Sequence, residues 1–570
     1  MTTTDKRSFK LAASYHQYRQ RLQGTYAELS GLPDASRLAY LHGDKHSWNE
    51  ADIANMWSTA PSHTESGTEV QNHMYVHVPF CKSICSFCNY ERLRPSHPSL
   101  LHNYLRRVLA SIDAIAPKVS HLRFSSLYFG GGTPSVLPAP MLSQLLQAID
   151  DAFDFYPDNG RAFEFDPAVM NAEKLAVTQR HGFSRYSFGI QTLEAGVMKQ
   201  HNRGAQGRDM VAKRFKEMDE AGVSIVSCDI LLGLAGTTAP QLLREIEEIL
   251  ANHKPKEVDI FMLTPTHEYV ESHFKGSFEA FWQHIAPFEQ QVPAALPAIA
   301  ERNGYFFGGG QSHSLTLKRM PSKLDRPNKS RRSYTQLSCQ AANPIHLLGL
   351  GPSARSSIFS KAIFQCKEPK EAAANFTYQG HPITLKDEAR LYLAHQLRDQ
   401  NHLDLTEFRR IIGKDFHQLH PVALAAWQKS HLTQQENDTL HLQPQPRRER
   451  TRSLLWLVPD ENLEFELARR WRIPLQRGGL ERLLQPIQLG QAITPKLSLH
   501  QLHDRKIVLR SADQQQYAFR VAPGWSENDH IRLVMLSQPS KAIMPELTKA
   551  VKLLRRLMQR NLGQLRSRMQ

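Results

Sequence analysis

The sequence predicts an α/β protein built around a partial, TIM-like (βα)6 barrel, followed by a helical module and a basic α+β C-terminal domain. Two observations predict this fold. Short β-branched and aromatic runs alternate with longer amphipathic stretches between residues 73 and 263, which is typical of βα units on a parallel sheet. Polar residues or glycines also recur where successive runs end, and parallel sheets bind ligands at the carboxyl ends of their strands.

The predicted elements follow one another in regular order. The predicted strands are residues 73–78, 124–129, 161–166, 185–190, 223–231 and 257–263. The clearest predicted helices between them are residues 98–116, 139–153, 207–222 and 239–253. Residues 345–357, "IHLLGLGPSARSS", return to strand and loop after the last unit. Six units in a row favour a barrel, open or closed, over two separate domains.

Shifts in composition divide the chain into four predicted parts. They are an N-terminal leader (1–70) with one helix over 13–32, a barrel core (71–380), a small winged helical module (381–446) and a basic C-terminal domain (447–570). The module is predicted to end in a hairpin at 431–443, and "QPQPRRER" at 443–450 is the best linker in the chain.

The charge distribution, the cysteine content and the lack of long apolar runs indicate the cellular compartment of the protein. The formal net charge is +15, and the 124 residues from Arg447 to Gln570 hold 23 Lys and Arg against 11 Asp and Glu. Six cysteines in 570 residues are too few for a disulfide-stapled secreted protein, which favours a reducing compartment. The first 20 residues are polar and no apolar run is long enough to span a bilayer, so we expect a cytoplasmic protein.

The basic C-terminal region ends in a predicted amphipathic helix over residues 544–570. One face of this helix carries seven apolar residues: Leu547, Val551, Leu554, Met558, Leu562, Leu565 and Met569. The periodicity predicts a helix that docks on its own domain or on a dimer partner. An anionic partner or membrane surface is the alternative, and the region has no nucleic-acid motif.

Three cysteines lie within eight residues in "YVHVPFCKSICSFCNYERL". Cys81, Cys85 and Cys88 directly follow the first predicted strand. Iron–sulfur clusters are usually held by four thiolates, so three would leave one iron open for a small chelating molecule. A closed zinc site completed by His77 is the alternative.

A glycine-rich turn follows the second predicted strand in "YFGGGTPS". The glycines at 130–132 let a ligand approach the backbone closely. No Lys-Ser/Thr pair follows, so the turn does not match a nucleotide-phosphate loop. It could instead hold the amino and carboxylate groups of an amino-acid-like ligand.

These motifs together resemble the radical S-adenosylmethionine superfamily. In their order, "YVHVPFC", "FGGGTPS", "EFDPAV", "RYSFGIQT", "HNRG" and "DILLGL" resemble its oxygen-independent coproporphyrinogen III oxidase branch over roughly residues 72–440. The resemblance implies that Cys81, Cys85 and Cys88 hold a [4Fe–4S] cluster whose open iron chelates S-adenosylmethionine. A radical SAM barrel and a 5′-deoxyadenosyl radical formed from this cofactor are also implied.

The resemblance assigns further residues to the cofactor. Tyr75 and Phe87 would flank cluster and cofactor, with Phe87 near the adenine. Cofactor contacts are also implied for Gly131, Gly132, Thr133, Glu164, Gln191, Arg203 and Asp229. Carboxylates suit the cationic groups and ribose of the cofactor, and an arginine suits its carboxylate. No residue is assigned to the substrate itself.

Several differences from the oxidases mean that the sequence does not specify which reaction the protein carries out. The oxidases carry a further cysteine shortly after the third, where this chain has Asn89 and Tyr90. The relatives include haem-directed radical methyltransferases, methyltransferases on other substrates and haem-binding chaperones. We therefore expect a radical enzyme that oxidises or methylates a tetrapyrrole and is supplied with electrons by a flavodoxin or ferredoxin. The alternatives are a haem carrier of the same fold and a radical methyltransferase on a non-tetrapyrrole substrate. Cys228 is expected in the core, and Cys339 and Cys366 are weaker candidates for a second ligand site.

Overall fold

The structure is a computed structural model of the chain, and the residues that it describes form two compact units. The first unit lies within residues 46–443 and the second within 455–567. The described residues are 46–443 except 91, 205, 264–265, 311–313, 322–343, 369–375, 400–401 and 430, then 455–457, 484 and 486–567 except 504–505, 527–528, 537–538 and 541. The predicted leader helix, residues 444–450 of the predicted linker and Cys339 lie outside them. The four-part division of the chain stays a prediction.

The first unit is built on a 13-stranded sheet with the order β1-β13-β12-β11-β10-β2-β3-β4-β5-β6-β7-β9-β8. The strands are β1 (His46–Trp48), β2 (Gln71–Val78), β3 (Phe124–Gly131), β4 (Phe155–Phe165), β5 (Arg185–Gln191), β6 (Ile225–Leu232), β7 (Glu257–Met262), β8 (Tyr305–Gly310), β9 (Ser314–Arg319), β10 (Ile345–Leu350), β11 (Arg355–Ile358), β12 (Ala362–Lys367) and β13 (Thr377–Pro382). The seven central strands from β10 to β7 are parallel.

Helices connect the parallel strands. They are α1 (Glu50–Ser58), α2 (Ser99–Ile115), α3 (Ala139–Ala152), α4 (Ala172–Arg180), α5 (Ala195–Gln200), α6 (Arg208–Glu220), α7 (Ala239–Asn252), α8 (His267–Phe274) and α9 (Phe278–Arg302). Side-chain caps fix the starts of several of them: Asn171 accepts from Lys174 N at the start of α4, and Thr238 accepts from Gln241 N at the start of α7. The six βα units and the predicted α/β class are confirmed.

Strand β2 shows how the sequence separates the two faces of the sheet. Met74, Val76 and Val78 are fully buried in the apolar core. The alternate residues Tyr75 and His77 project from the other face, because successive side chains of a strand point to opposite sides. The apolar face packs with the helices, and we call the opposite face, which carries Tyr75 and His77, the inner face of the sheet.

Two features of the sheet differ from the sequence prediction. Asp229, near the end of the fifth predicted strand (223–231), was expected at a strand end, but β6 continues to Leu232 because "ILL" remains apolar and pairs with β7. Asp229 therefore lies within β6, three residues before its end. The prediction also gave no sheet position to residues 345–350, which form β10 and pair in parallel with β2.

A helical module follows the sheet within the first unit. It contains α10 (Leu385–Asp399), α11 (Leu405–Ile412), α12 (Phe416–Leu419) and α13 (Pro421–Lys429), and the small sheet β14 (His402–Asp404), β16 (Thr439–Leu442) and β15 (Thr433–Glu436). Strands β15 and β16 pair antiparallel, as the predicted hairpin requires. Leu403, Phe408 and Trp427 are buried within the module.

The second unit is a five-stranded antiparallel sheet with a long helix. Its elements are β17 (Ala492–Thr494), β18 (Leu497–His503), β19 (Lys506–Ser511), β20 (Gln516–Ser526), β21 (Asp529–Met535) and α14 (Met544–Ser567). Leu547, Leu554 and Met558 of α14 are fully buried in a core shared with Leu499 and Phe519. Within the described residues of both units, no helix is long and apolar enough to cross a membrane.

Candidate active site

The three clustered cysteines lie on a loop that is closed by its own backbone. Leu93 N donates to Pro79 O at 2.7 Å and Cys81 N donates to Leu93 O at 2.9 Å, so the two ends of the loop pair like strands. We call residues 79–93 the cysteine loop. Cys88 N donates to Cys85 O at 3.2 Å within it, and all three cysteines are free.

Two residues between the second and third cysteines fix the inner side of the cysteine loop. Ser86 N donates to His201 O at 3.1 Å, and Ser86 Oγ hydrogen-bonds His201 Nδ1 at 2.8 Å and His273 Nε2 at 3.0 Å. Phe87 packs against the buried cluster around Tyr269, with its ring 5.9 Å from that of His201. The loop is thus anchored to the segment after α5 and to α8.

The glycine turn after β3 packs directly on the cysteine loop. Gly131 has a φ of +113°, and a Cβ there would lie 2.8 Å from the ring of His77. A Cβ at Gly132 would lie 2.7 Å from Phe80 O and 3.0 Å from Cys81 Sγ. Only glycine permits contacts this close. Thr133 Oγ1 donates to Cys81 Sγ at 3.5 Å, so the turn and the first thiol are neighbours.

Glu164 on β4 is held beside the same turn. Its carboxylate accepts a hydrogen bond from Tyr128 OH and another from Gly131 N at 3.2 Å. Burial nevertheless raises the pKa of Glu164 above its usual value. Glu164 is half-buried, so part of its surface stays accessible beside the turn.

Two further carboxylates line the inside of the sheet on neighbouring strands. Asp229 on β6 pairs in register with Asp259 on β7. Burial raises the pKa of Asp229 to about 8, with Asp259 and Glu164 as the nearest negative neighbours. Burial and nearby Glu257 raise the pKa of Asp259 to about 6, although Thr316 Oγ1 donates to it at 2.7 Å. The interior therefore favours cationic ligands, or protons on these groups.

The end of β5 brings Gln191 and Arg203 into the site. Gln191 has a φ of 67° at an irregularity in the pairing of β5 with β6, a local distortion common near active sites. Arg203 donates to Gly189 O at 2.8 Å and to Gln206 Oε1 at 3.1 Å. Its Nη1 lies 3.9 Å from Cys85 Sγ, so the guanidinium contacts the cysteine loop.

Burial and hydrogen-bonding neighbours have opposite effects on the pKa values of the Cys81 and Cys85 thiols. Burial raises the pKa of Cys81, and the hydrogen bond from Thr133 opposes this. Burial also raises the pKa of Cys85, opposed by the positive charge of Arg203. His77, the fourth ligand of the zinc alternative, hydrogen-bonds Tyr75 OH through Nδ1 at 2.8 Å. Among the described residues, no group of three or more His, Cys, Asp or Glu side chains is arranged around a single metal position.

The structure places the predicted site residues in two groups. One group surrounds the cysteine loop and contains Phe87, Gly132, Thr133, Arg203 and the three cysteines. The other lines the interior and contains Tyr75, Glu164 and Asp229, with Gly131 between the two groups and Gln191 beside Gly189. Cys228 and Cys366 are buried in the core, as the strand alternation predicts for Cys228.

Sequence reasoning missed Tyr128, Asp259 and Ser86 with its two histidines. Tyr128 and Asp259 lie at alternating positions in β3 and β7, on the same face as Gly130 and Phe261. This alternation could have identified them once the strands were assigned. The pairing of Ser86 with His201 and His273 joins residues more than 100 positions apart, and no local pattern signals it.

Comparison with known proteins finds one matching domain and several similar proteins. Residues 75–250 match the radical SAM superfamily. The chain is 27% identical over 312 residues to the oxygen-independent coproporphyrinogen III oxidase of Escherichia coli (strain K12), covering 54% of this chain and 66% of the relative. It is 29% identical over 221 residues to the heme chaperone HemW of Bacillus subtilis (38% and 56%). It is 30% identical over 196 residues to the anaerobilin synthase of Escherichia coli O157:H7 (33% and 42%).

A solved structure shows the same fold. The structure described as "Coproporphyrinogen III oxidase (HemN) from Escherichia coli is a Radical SAM enzyme" aligns with a TM-score of 0.59 at 19% identity, covering 72% of this chain and 94% of that chain. Residues 75–250 of the chain therefore match a radical SAM domain. The chain is similar to the coproporphyrinogen III oxidase, heme chaperone and anaerobilin synthase relatives. The sequence matches span between 42% and 66% of the lengths of these three curated relatives.

Proposed function

We propose that the chain is a radical SAM enzyme whose cysteine loop holds a [4Fe–4S] cluster and which acts on a tetrapyrrole. The observation that carries the proposal is the contact between the cysteine loop and two elements distant in sequence. Gly132 and Thr133 lie against Cys81, and Arg203 lies against Cys85. Three free thiols, a glycine turn and a cation thus meet beside an interior lined by carboxylates.

The residues present fit the iron–sulfur group and its ligand. Three thiolates on one closed loop suit a four-iron cluster with one iron open. The glycine turn exposes backbone where a Cβ would collide, so a small ligand can lie against it. When bound, the cluster and S-adenosylmethionine supply a 5′-deoxyadenosyl radical that abstracts a hydrogen atom.

The polar side chains have separate roles in this proposal. Arg203 would bind the carboxylate of the cofactor and donate toward the Cys85 sulfur, because its guanidinium has several donors in one plane. Glu164 and Asp229 would face the cationic groups or ribose. A cation beside them favours their ionised forms, so cofactor binding would release a proton from Asp229, whose pKa is about 8, near neutral pH. The burial of these groups would limit the access of water to the reacting atoms.

The substrate class comes from the names of the relatives. An oxidase of coproporphyrinogen III, a synthase of anaerobilin and a chaperone of heme each handle a tetrapyrrole. We propose a tetrapyrrole for this chain on that ground. The carboxylates at Glu164 and Asp229 favour an enzyme over a haem carrier, because a carrier has no need of groups that suit the cofactor. Hydrogen abstraction and methyl transfer are both compatible with these residues.

An anaerobic turnover assay tests this function. The full chain is reconstituted with iron and sulfide, then incubated with dithionite, S-adenosylmethionine and either haem or coproporphyrinogen III. We expect 5′-deoxyadenosine to rise when the tetrapyrrole is present, and the mass of the product to give the reaction. Tight haem binding without cofactor cleavage would instead indicate a carrier. Cleavage that no tetrapyrrole affects would reject the substrate class.

A further inference from the structure

The outer side of the cysteine loop carries exposed apolar side chains. Ile84 is 36% exposed, Tyr90 is 64% exposed and Leu93 is 51% exposed. Most large apolar residues of the first unit are buried. Three exposed apolar side chains on one loop of 15 residues therefore indicate an interaction site. Their inner neighbours Ser86 and Phe87 are anchored, which leaves this side of the loop facing away from the interior.

The outer side is also positively charged. Lys82 and Arg94 are exposed, and no ion pair involves either side chain within the part of the chain that the structure describes. Arg92 donates to Tyr90 O at 2.7 Å and to Cys85 O at 3.2 Å. In sequence, residues 82–94 contain three cations and one acidic residue, Glu91. The patch therefore suits an acidic partner with a small apolar contact area.

We propose that this outer side is the docking surface for an acidic one-electron carrier protein. The inference rests on the proposed function, because it assumes that the three thiols hold an iron–sulfur group. Ile84 adjoins Cys85, and Tyr90 follows Cys88 by two residues, so their Cα atoms lie within about 8 Å of the ligating residues. A carrier seated here would be close to the group that it reduces.

The cysteine loop is suited to forming a transient protein–protein complex. Its ends are paired through Pro79, Cys81 and Leu93. Because the loop is already ordered, it would lose little conformational entropy when a partner binds. Electron-transfer complexes bury little area, less than about 1,200 Å², and a few apolar residues with a basic rim match that size. In the reaction, the reduced carrier loses one electron and the iron–sulfur group gains one, with no bond or proton transferred.

Stopped-flow reduction tests the docking surface. The reconstituted full chain is mixed anaerobically with photoreduced bacterial flavodoxin at low and high ionic strength, and with dithionite as a reductant that needs no docking. The variants are Lys82→Glu, Arg94→Glu and Ile84→Asp. Lys118→Glu is the matched control, because Lys118 is an exposed cation in the short turn that follows the C-terminal end of α2.

We expect the three loop variants to lower the rate constant with flavodoxin about tenfold at low ionic strength. The two charge reversals should also lose most of the salt dependence. Reduction by dithionite and the behaviour of Lys118→Glu should match the wild type. Arg94 lies outside the paired ends of the loop. Arg94→Glu therefore still tests the docking surface if Lys82→Glu or Ile84→Asp disturbs the fold of the loop.

Three results would overturn the inference. Unchanged reduction by flavodoxin would show that the patch is not the docking surface. An equal loss with dithionite would show that these side chains support the loop instead. Unchanged flavodoxin kinetics with weakened haem binding would assign the patch to the substrate. If the wild type binds no iron–sulfur group, or dithionite fails to reduce it, the proposed function fails first, and that result is distinct from a docking defect.

Discussion

Replacing Gly132 by alanine tests the contact between the glycine turn and the cysteine loop. The new Cβ would lie 2.7 Å from Phe80 O and 3.0 Å from both Cys81 Sγ and the Pro79 carbonyl carbon. Ordinary contact requires the loop to move by about 0.7 Å. Gly132 N already donates to Val78 O at 2.8 Å, so the turn cannot easily retreat. Overpacking of this kind costs about 1–3 kcal/mol.

The effect of Gly132→Ala should be steric, because Gly132 does not have a positive φ. Gly196→Ala is the matched control: it lies in α5, and a Cβ there meets nothing within 4 Å. Alanine in a helix is favoured over glycine by about 0.5–1 kcal/mol, so this variant should be as stable as the wild type or slightly more stable.

Two measurements check this prediction. Denaturant unfolding of the full chain without metal should show the loss of stability for Gly132→Ala alone. Iron content after anaerobic reconstitution should also fall for Gly132→Ala and not for Gly196→Ala. If Gly132→Ala unfolds at the wild-type midpoint and takes up iron normally, the turn does not constrain the loop, and the reasoning is wrong.

Three further predictions concern other parts of the molecule. Asp229 has a pKa of about 8 in the folded chain and about 3.9 when unfolded, so its contribution to the free energy of unfolding falls as pH rises from about 4 to about 8. Asp229→Asn should flatten this slope in denaturant unfolding at pH 5 and pH 8, and an unchanged slope would contradict the assignment. Tyr128→Phe removes a donor to the Glu164 carboxylate and should weaken S-adenosylmethionine binding about tenfold by calorimetry; equal affinity would refute this role. Leu554→Ala should destabilise the second unit by about 2–5 kcal/mol, whereas the exposed Lys552→Ala should change stability by less than about 0.5 kcal/mol, and similar effects of both would contradict the packing of α14.

Much of the barrel could be predicted because each strand has a local signal. Alternation in "HMYVHV" separates Met74 and Val76 from Tyr75 and His77, and the structure buries the first pair in the core. The predicted helix over 544–570 was placed in the same way, and Leu547 and Leu554 are buried as its periodicity requires. Local periodicity reports burial, so elements with one apolar face are predictable.

Other features depend on contacts between residues far apart in the chain. The position of β10 beside β2 joins residues more than 270 positions apart, and a short apolar run does not specify its neighbour. Asp229 was placed at a strand end although the predicted strand, 223–231, ran past it, and in the structure it lies three residues before the end of β6. The approach of Arg203 to Cys85 depends on a hydrogen bond to Gly189 O, which only the folded chain forms.

Quantifying iron, sulfide and zinc in the anaerobically reconstituted chain, and then assaying cofactor cleavage with dithionite, tests the central claim most directly. A cluster on Cys81, Cys85 and Cys88 predicts about four iron and four sulfide per chain, with 5′-deoxyadenosine formed on reduction. Cys85→Ala should lose both the iron and the cleavage, whereas the buried Cys366→Ala should keep both. One tightly bound zinc per chain with no cleavage of S-adenosylmethionine would contradict the account.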